Sequence, residues 1–206
     1  MSTTTTARIA IAAIAASVLT ACSGTPAPAP GPASGPASGG APATGTAATE
    51  VNPAGDIPDN QAYIPFAPPG AGFTVKIPEG WASLASGTTT TFTDKLNQVQ
   101  VSSSRGAAAP TPASVTATDV PALKTRTPNF AMGQVSTVSR HAGPATLLTY
   151  RGDSAPSPVT GKVVRDAFER YSFFRAGIRV DLTLSGPANA DNVDPWRTVT
   201  DSLSWS

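Results

Sequence analysis

The chain has 206 residues, a formal net charge of +1 and only 13% charged side chains, so neither nucleic acid nor an acidic substrate is indicated as a partner. One cysteine and one histidine leave no internal disulfide and too few nitrogen or sulfur ligands for a zinc site. Of the 21 prolines and 18 glycines, 8 and 7 fall between Gly24 and Pro58, a denser share than in the rest of the chain, which sets a low-complexity tract apart from a folding segment.

Met1 to Arg8 is short and polar, Ile9 to Leu19 is an apolar run broken only by Ser17, and small residues Thr20 and Ala21 precede Cys22. A permanent membrane helix needs roughly 20 apolar residues, so this shorter run reads as the core of an export signal. Leu19-Thr20-Ala21-Cys22 resembles the bacterial lipobox. The resemblance implies a signal peptide over 1–21, cleavage before Cys22, and acylation of the Cys22 thiol with diacylglycerol, palmitate being the acyl group expected. The expected location is the extracytoplasmic face of the cell membrane, held there by the lipid. One acyl chain holds weakly and two hold stably, at about 0.8 kcal/mol per buried methylene.

From Cys22 to about Asn60 the composition is Pro, Ala, Gly, Ser and Thr, with Gly-Pro-Ala-Ser at 31–34 and again at 35–38. Nothing in it fills a core, so it reads as a disordered tether of low complexity. Such a chain spans roughly 30–35 Å if flexible and about 100 Å if polyproline-like. Its Thr and Pro content is compatible with O-glycosylation.

Residues 61–206 suffice for one domain with its own core. Phe73, Val75 and Ile77 alternate with polar residues and predict a strand that ends at Pro78-Glu79-Gly80. Thr88–Thr93 and Asn97–Ser104 predict a hairpin turning near Asp94-Lys95. Thr111-Pro112 predicts a capped helix start, with a restart or kink at Pro121 and an end near Arg126. Strands are expected over Met132–Arg140, Ala145–Arg151, Val163–Phe174 and Ile178–Leu184, with a turn at Gly143-Pro144 and a loop over 152–161. Asp194-Pro195 opens a last helix, with Val193, Trp196, Val199 and Leu203 at helical spacing. The fold class is therefore α+β, an antiparallel sheet with helices packed on it.

Gly72 to Trp81 resembles the opening of the LpqN/LpqT-type lipoproteins of mycobacteria and of the wider PsbP-like fold. Pro128-Asn129-Phe130, Ala142 to Ala145 leading to Tyr150, and Pro187-Ala188-Asn189 extend that resemblance over most of 63–206. It implies a cell-envelope lipoprotein with a noncatalytic α/β sandwich domain.

Candidate chemistry is sparse. His141 has Ser139 and Asp153 near it in sequence, but no Gly-x-Ser-x-Gly elbow occurs, and a polar residue before a turn is ordinary. Asp191, Asp194, Asn189 and Asn192 lack the pattern of a calcium loop and read as caps of the last helix. Arg151-Gly152-Asp153 is a chance-level tripeptide at a strand end. The stretch 163–175 carries Phe168 and Phe174 on one parity and Tyr171 and Phe173 on the other. It is either a central strand buried on both faces or the lining of an apolar groove, with Arg170 among the arginines that could hold a lipid phosphate or carboxylate. The reading is a nonenzymatic, monomeric binding module without a cofactor, for a lipid or other hydrophobic ligand. The alternative is an adaptor that docks an envelope or host protein.

Overall fold

The computed structural model describes residues 53–157 and 159–206. The expected signal peptide, Cys22 and the expected tether up to Asn52 lie outside the described residues. No helix among the described residues is long and apolar enough to cross a membrane.

The strands are β1 (Tyr63–Phe66), β2 (Phe73–Pro78), β3 (Ala82–Ser86), β4 (Thr89–Asp94), β5 (Asn97–Arg105), β6 (Ala131–Arg140), β7 (Gly143–Asp153), β8 (Arg165–Arg175), β9 (Ile178–Pro187) and β10 (Ser204–Trp205). They form a seven-stranded antiparallel sheet in the order β3-β4-β5-β9-β8-β7-β6 and a small sheet β1-β2-β10. Between β5 and β6 lie α1 (Pro112–Ser114), a π-helical turn (Val115–Asp119) and α2 (Val120–Arg126); α3 (Val193–Asp201) precedes β10.

Strand periodicity sorts the large sheet into two faces. One face carries Val99, Val101, Ala145, Tyr171, Phe173, Val180, Leu182 and Leu184. It packs on Phe73, Val75 and Ile77 of β2 and on Trp196 and Val199 of α3. The opposite face carries Leu148 and Tyr150, covered by Val115 and Leu123 of the helical segment. The arrangement is an antiparallel sheet with helices on it, as the alternation of β2, β5 and β9 demanded.

Local chemistry explains the element ends. Thr111 caps α1 through a reciprocal box, its hydroxyl accepting from the Ser114 N–H while its own N–H donates to Ser114 Oγ. The expected break at Pro121 is a π turn just upstream, ending at Asp119, where the ring would otherwise clash with the preceding turn. The turn expected at Gly143-Pro144 is instead His141-Ala142. Pro144 pairs with Ser139, and the ladder to β8 begins only at Ala145, so its missing N–H breaks no bond. Val193 was expected on the apolar face of α3 but is 69% exposed, because it is the first residue of that helix and lies outside the contact face.

The boundary of the tether also moves. Residues 53–60 were expected in it, yet Ile57 is 6% exposed and belongs to the main core. The Ile57 N–H donates to Asn192 Oδ1 at 2.8 Å, and the Gly55 carbonyl accepts from both Asn97 Nδ2 (2.9 Å) and Asn192 Nδ2 (3.0 Å). Gly55 has φ +100, and a Cβ there would meet the Pro187 ring at 2.4 Å. Asn192 occupies the N-cap position of α3 but makes no side-chain cap bond, so its amide holds this strap and not the helix. Ile57→Ala is expected to cost about 2–5 kcal/mol. Asn192→Ala should cost about 1–3 kcal/mol for each buried group left unpaired. Urea titration of the full chain measures both; midpoints unchanged from the parent would mean the strap is not part of the fold.

Candidate functional site

Strand β8 lies between β7 and β9, and its side chains meet two different environments. Tyr171 and Phe173 are 2% and 1% exposed in the main core. Phe168 points to the opposite face, where its ring stacks on Tyr150 at 4.5 Å with an interplanar angle of 5°, and Tyr150 in turn lies 5.2 Å from Phe130. Phe174 is half-buried beside Gly106. Arg170 shares the face of Phe168, with one guanidinium nitrogen 2.8 Å from Asp181 Oδ2 and another donating to Thr183 Oγ1 at 2.8 Å. The five residues nominated from this strand therefore do not converge on one site. Alternation across a central strand divides them, and Tyr171 and Phe173 are closed off as core.

The groove that does exist lies at the end of the sheet, on the α3 side. It has a volume of about 360 Å³, and its floor includes Thr149, Ala167 and Glu169, with Trp196 of α3 on one side and Ala131, Met132 and Gly133 on the other. Phe168 and Tyr150 contribute to its lining, and Arg151 stands at its margin. The walls are mostly apolar, and Met132 is 47% exposed. A bulge between Met132 and Val135 shapes the β6 wall. Gly133 is required there, since a Cβ would lie 2.4 Å from Thr149 Oγ1, and that hydroxyl accepts the Gln134 N–H at 2.9 Å.

Glu169 is the acidic group of the groove, and it heads a polar chain leading under α3. Its Oε2 accepts from the Tyr171 hydroxyl at 2.7 Å, and that hydroxyl accepts from Arg140 at 2.8 Å. Arg140 lies 4.8 Å from the Tyr171 ring centre and 3.6 Å from Asp201 Oδ1. Burial, then the hydrogen bond to Glu169, raises the Tyr171 phenol above its ordinary range, so it stays protonated as a donor. Burial likewise pushes the Tyr150 phenol up to about 12.

A second cavity of about 210 Å³ lies under the strap, lined in part by Ile57, Trp81, Asp94 and Asn97. His141 is exposed, with Nδ1 3.1 Å from the Asp201 carbonyl, and the structure pairs it with neither Ser139 nor Asp153. Asp153 belongs to a cluster with Asn129 Nδ2 (2.6 Å) and Arg165 (3.1 Å), which lowers its carboxyl, the Asn129 bond first. Gly152 is buried between them, so Arg151-Gly152-Asp153 is a strand and not a presented loop. No group of three His, Cys, Asp or Glu among the described residues could hold a metal ion.

Sequence reasoning missed Glu169, Thr149, Met132 and Trp196 as groove residues. The one available signal was the glycine inside the β6 pattern, which marks a bulge or a close backbone approach.

No family model matches this chain, and no curated protein matches it. Among solved structures, cyanobacterial PsbP (CyanoP) from Synechocystis is similar over 71% of this chain and 94% of its own, with 15% identity and a TM-score of 0.50. A protein from Bacteroides thetaiotaomicron is similar at 13% identity and TM-score 0.49 over 69% of this chain, which spans only 48% of that longer one. LpqN of Mycobacterium tuberculosis, described as involved in cell envelope biogenesis, is similar at 14% identity and TM-score 0.41, over 71% of this chain and 91% of its own. At these identities the likeness is one of fold. The domain has the PsbP-like α+β fold.

Asp166, beside this region, gives a pH prediction. It is 5% exposed, Oδ1 has no hydrogen-bond partner, and burial followed by the charge of Asp153 pushes its carboxyl up to about 6. The folded state thus holds this proton more tightly than the unfolded chain. The favourable contribution is complete below about pH 4 and is lost as pH rises through about 6. Asp166→Asn should stabilise the chain by roughly 1–2 kcal/mol at pH 8 and by little at pH 3.5. Urea titration at the two pH values decides it, and an equal effect at both would refute the assignment.

Proposed function

We propose that this chain is a noncatalytic binding module of the cell envelope, of the LpqN/LpqT type, held to the outer face of the membrane by a lipid on Cys22. The lipobox sequence supports the anchor. The groove between β6, β7, β8 and α3 supports the binding role, and it is the observation on which the reading rests. Its apolar wall of Ala131, Ala167 and Trp196 suits an apolar ligand segment, while Glu169, Thr149 and Arg151 suit a polar end. The ligand class that fits is an amphiphile, with its apolar part against Trp196 and a hydroxyl or other donor on Glu169. An enclosed acyl tunnel does not fit, because the cavity is an open groove at the margin of the sheet.

Native mass spectrometry with lipid extraction, on the full chain purified from its own host, tests this. A reproducible amphiphile adduct is expected. Ala167→Phe, which extends a ring from the groove floor, should reduce its occupancy at least tenfold, whereas Phe174→Ala, away from the groove, should leave it unchanged. A clean apo mass, or an adduct insensitive to Ala167→Phe, would sink the proposal.

A further inference from the structure

The seven-stranded sheet ends in β6, and this edge has the properties of an open strand. Across its ten residues none is buried. Its ladder runs to β7 alone, and among the described residues no backbone group of β6 bonds to any other strand. Proteins normally blunt such an edge with proline, lysine, an inward charge or a covering element. From Ala131 to Ser139 there is no proline and no charge. The opposite edge, β3, is half as long, with five residues.

We propose that the outer edge of β6 receives an extended, acidic peptide segment of a partner protein, which adds to the sheet as an eighth strand. A row of free N–H and C=O groups is satisfied fully only by another extended backbone, so the edge itself specifies the partner's conformation. The surrounding charge specifies its composition. Arg151, paired across the ladder with Ala131, is exposed and in no ion pair among the described residues; the same holds for Lys124 and Arg126 at the end of α2. Arg126 is the last residue of α2, five positions ahead of Ala131, the first residue of β6. Of the nearby carboxylates, Asp153 is paired with Arg165, while Glu169 and the buried Asp166 have no cationic partner among the described residues and are outnumbered by Arg151, Lys124 and Arg126. At the far end Arg140 is held by Asp201. The beginning of the edge is therefore basic. The inference rests on the free edge and not on what fills the groove, although Ala131, Met132 and Arg151 border both.

The test uses the full chain and three fluorescein-labelled peptides: two glutamates followed by alternating threonine and valine, the same with lysines for glutamates, and the glutamate form N-methylated at alternate residues. Fluorescence anisotropy should show the glutamate peptide binding at least tenfold tighter than the lysine one, with the preference shrinking at high salt. N-methylation should abolish binding, because it removes the donors that pair with the edge. Hydrogen exchange should slow over 131–140 and not over 82–86. Arg126→Glu combined with Arg151→Glu, both at exposed positions, should erase the charge preference while β6 stays exchange-protected by β7. Equal affinity for both charges, indifference to N-methylation, protection at β3, or a dimer of the chain itself closing on β6 in sedimentation would each overturn the proposal.

Discussion

The carboxylate of Asp181 is the constraint around which both layers are arranged. It sits on β9 at 7% exposure, where an unpaired charge costs several kcal/mol. Three donors compensate it: Arg170 at 2.8 Å, Arg179 Nε at 2.9 Å and Ser172 Oγ at 2.5 Å. Arg170 and Ser172 come from β8, and Arg179 is two residues back on β9, so the cluster locks the pairing of the two central strands. A slip of one residue would drive these charges into the face that holds Phe173, Val180 and Leu182. Arg179 also pairs with Asp119, the last residue of the π turn. The same buried charge therefore fixes the register of the sheet and the position of the helical segment above it.

That arrangement explains why one face of the domain was easier to read than the other. The main core is built by strict alternation, so Phe73, Val75, Ile77, Val180, Leu182 and Leu184 were visible as one side of their strands before any fold was known. The face under the helical segment is mixed. Its apolar patch of Leu148, Tyr150 and Phe168 adjoins arginine, aspartate, serine and threonine, whose burial depends on partners distant in sequence. Arg170 looked like a solvated or ligand-holding arginine because its partner Asp181 is eleven residues away and meets it only through the register. β1 and β3 were missed for different reasons. Tyr63-Ile64-Pro65-Phe66 contains a proline, while Ala82 to Ser86 is exposed throughout and has no apolar alternation to detect. The α+β class was legible through turns and apolar spacing, and the PsbP-like fold through a resemblance those turns carried. The groove was not, because Glu169, Trp196 and Met132 are far apart in sequence and none is unusual where it stands.

The strap adds a mechanical argument. The chain reaches the folded domain at Pro53 and is secured within a few residues by Asn97 at the head of β5, Asn192 ahead of α3 and the Pro187 ring at the end of β9. Asn97 and Asn192 also bond each other at 3.0 Å, so the two amides brace one another behind the Gly55 carbonyl. A force applied through the preceding chain would be taken up by β5 and β9, the strands best supported by neighbours, before it reached β6. The groove is joined to this clamp, since the Trp196 N–H donates to the Asn192 carbonyl at 3.0 Å and Pro187 pairs with Asp166, next to Ala167 of the groove floor. The open edge of β6, three places beyond β9 in the sheet order, is set apart from the clamp.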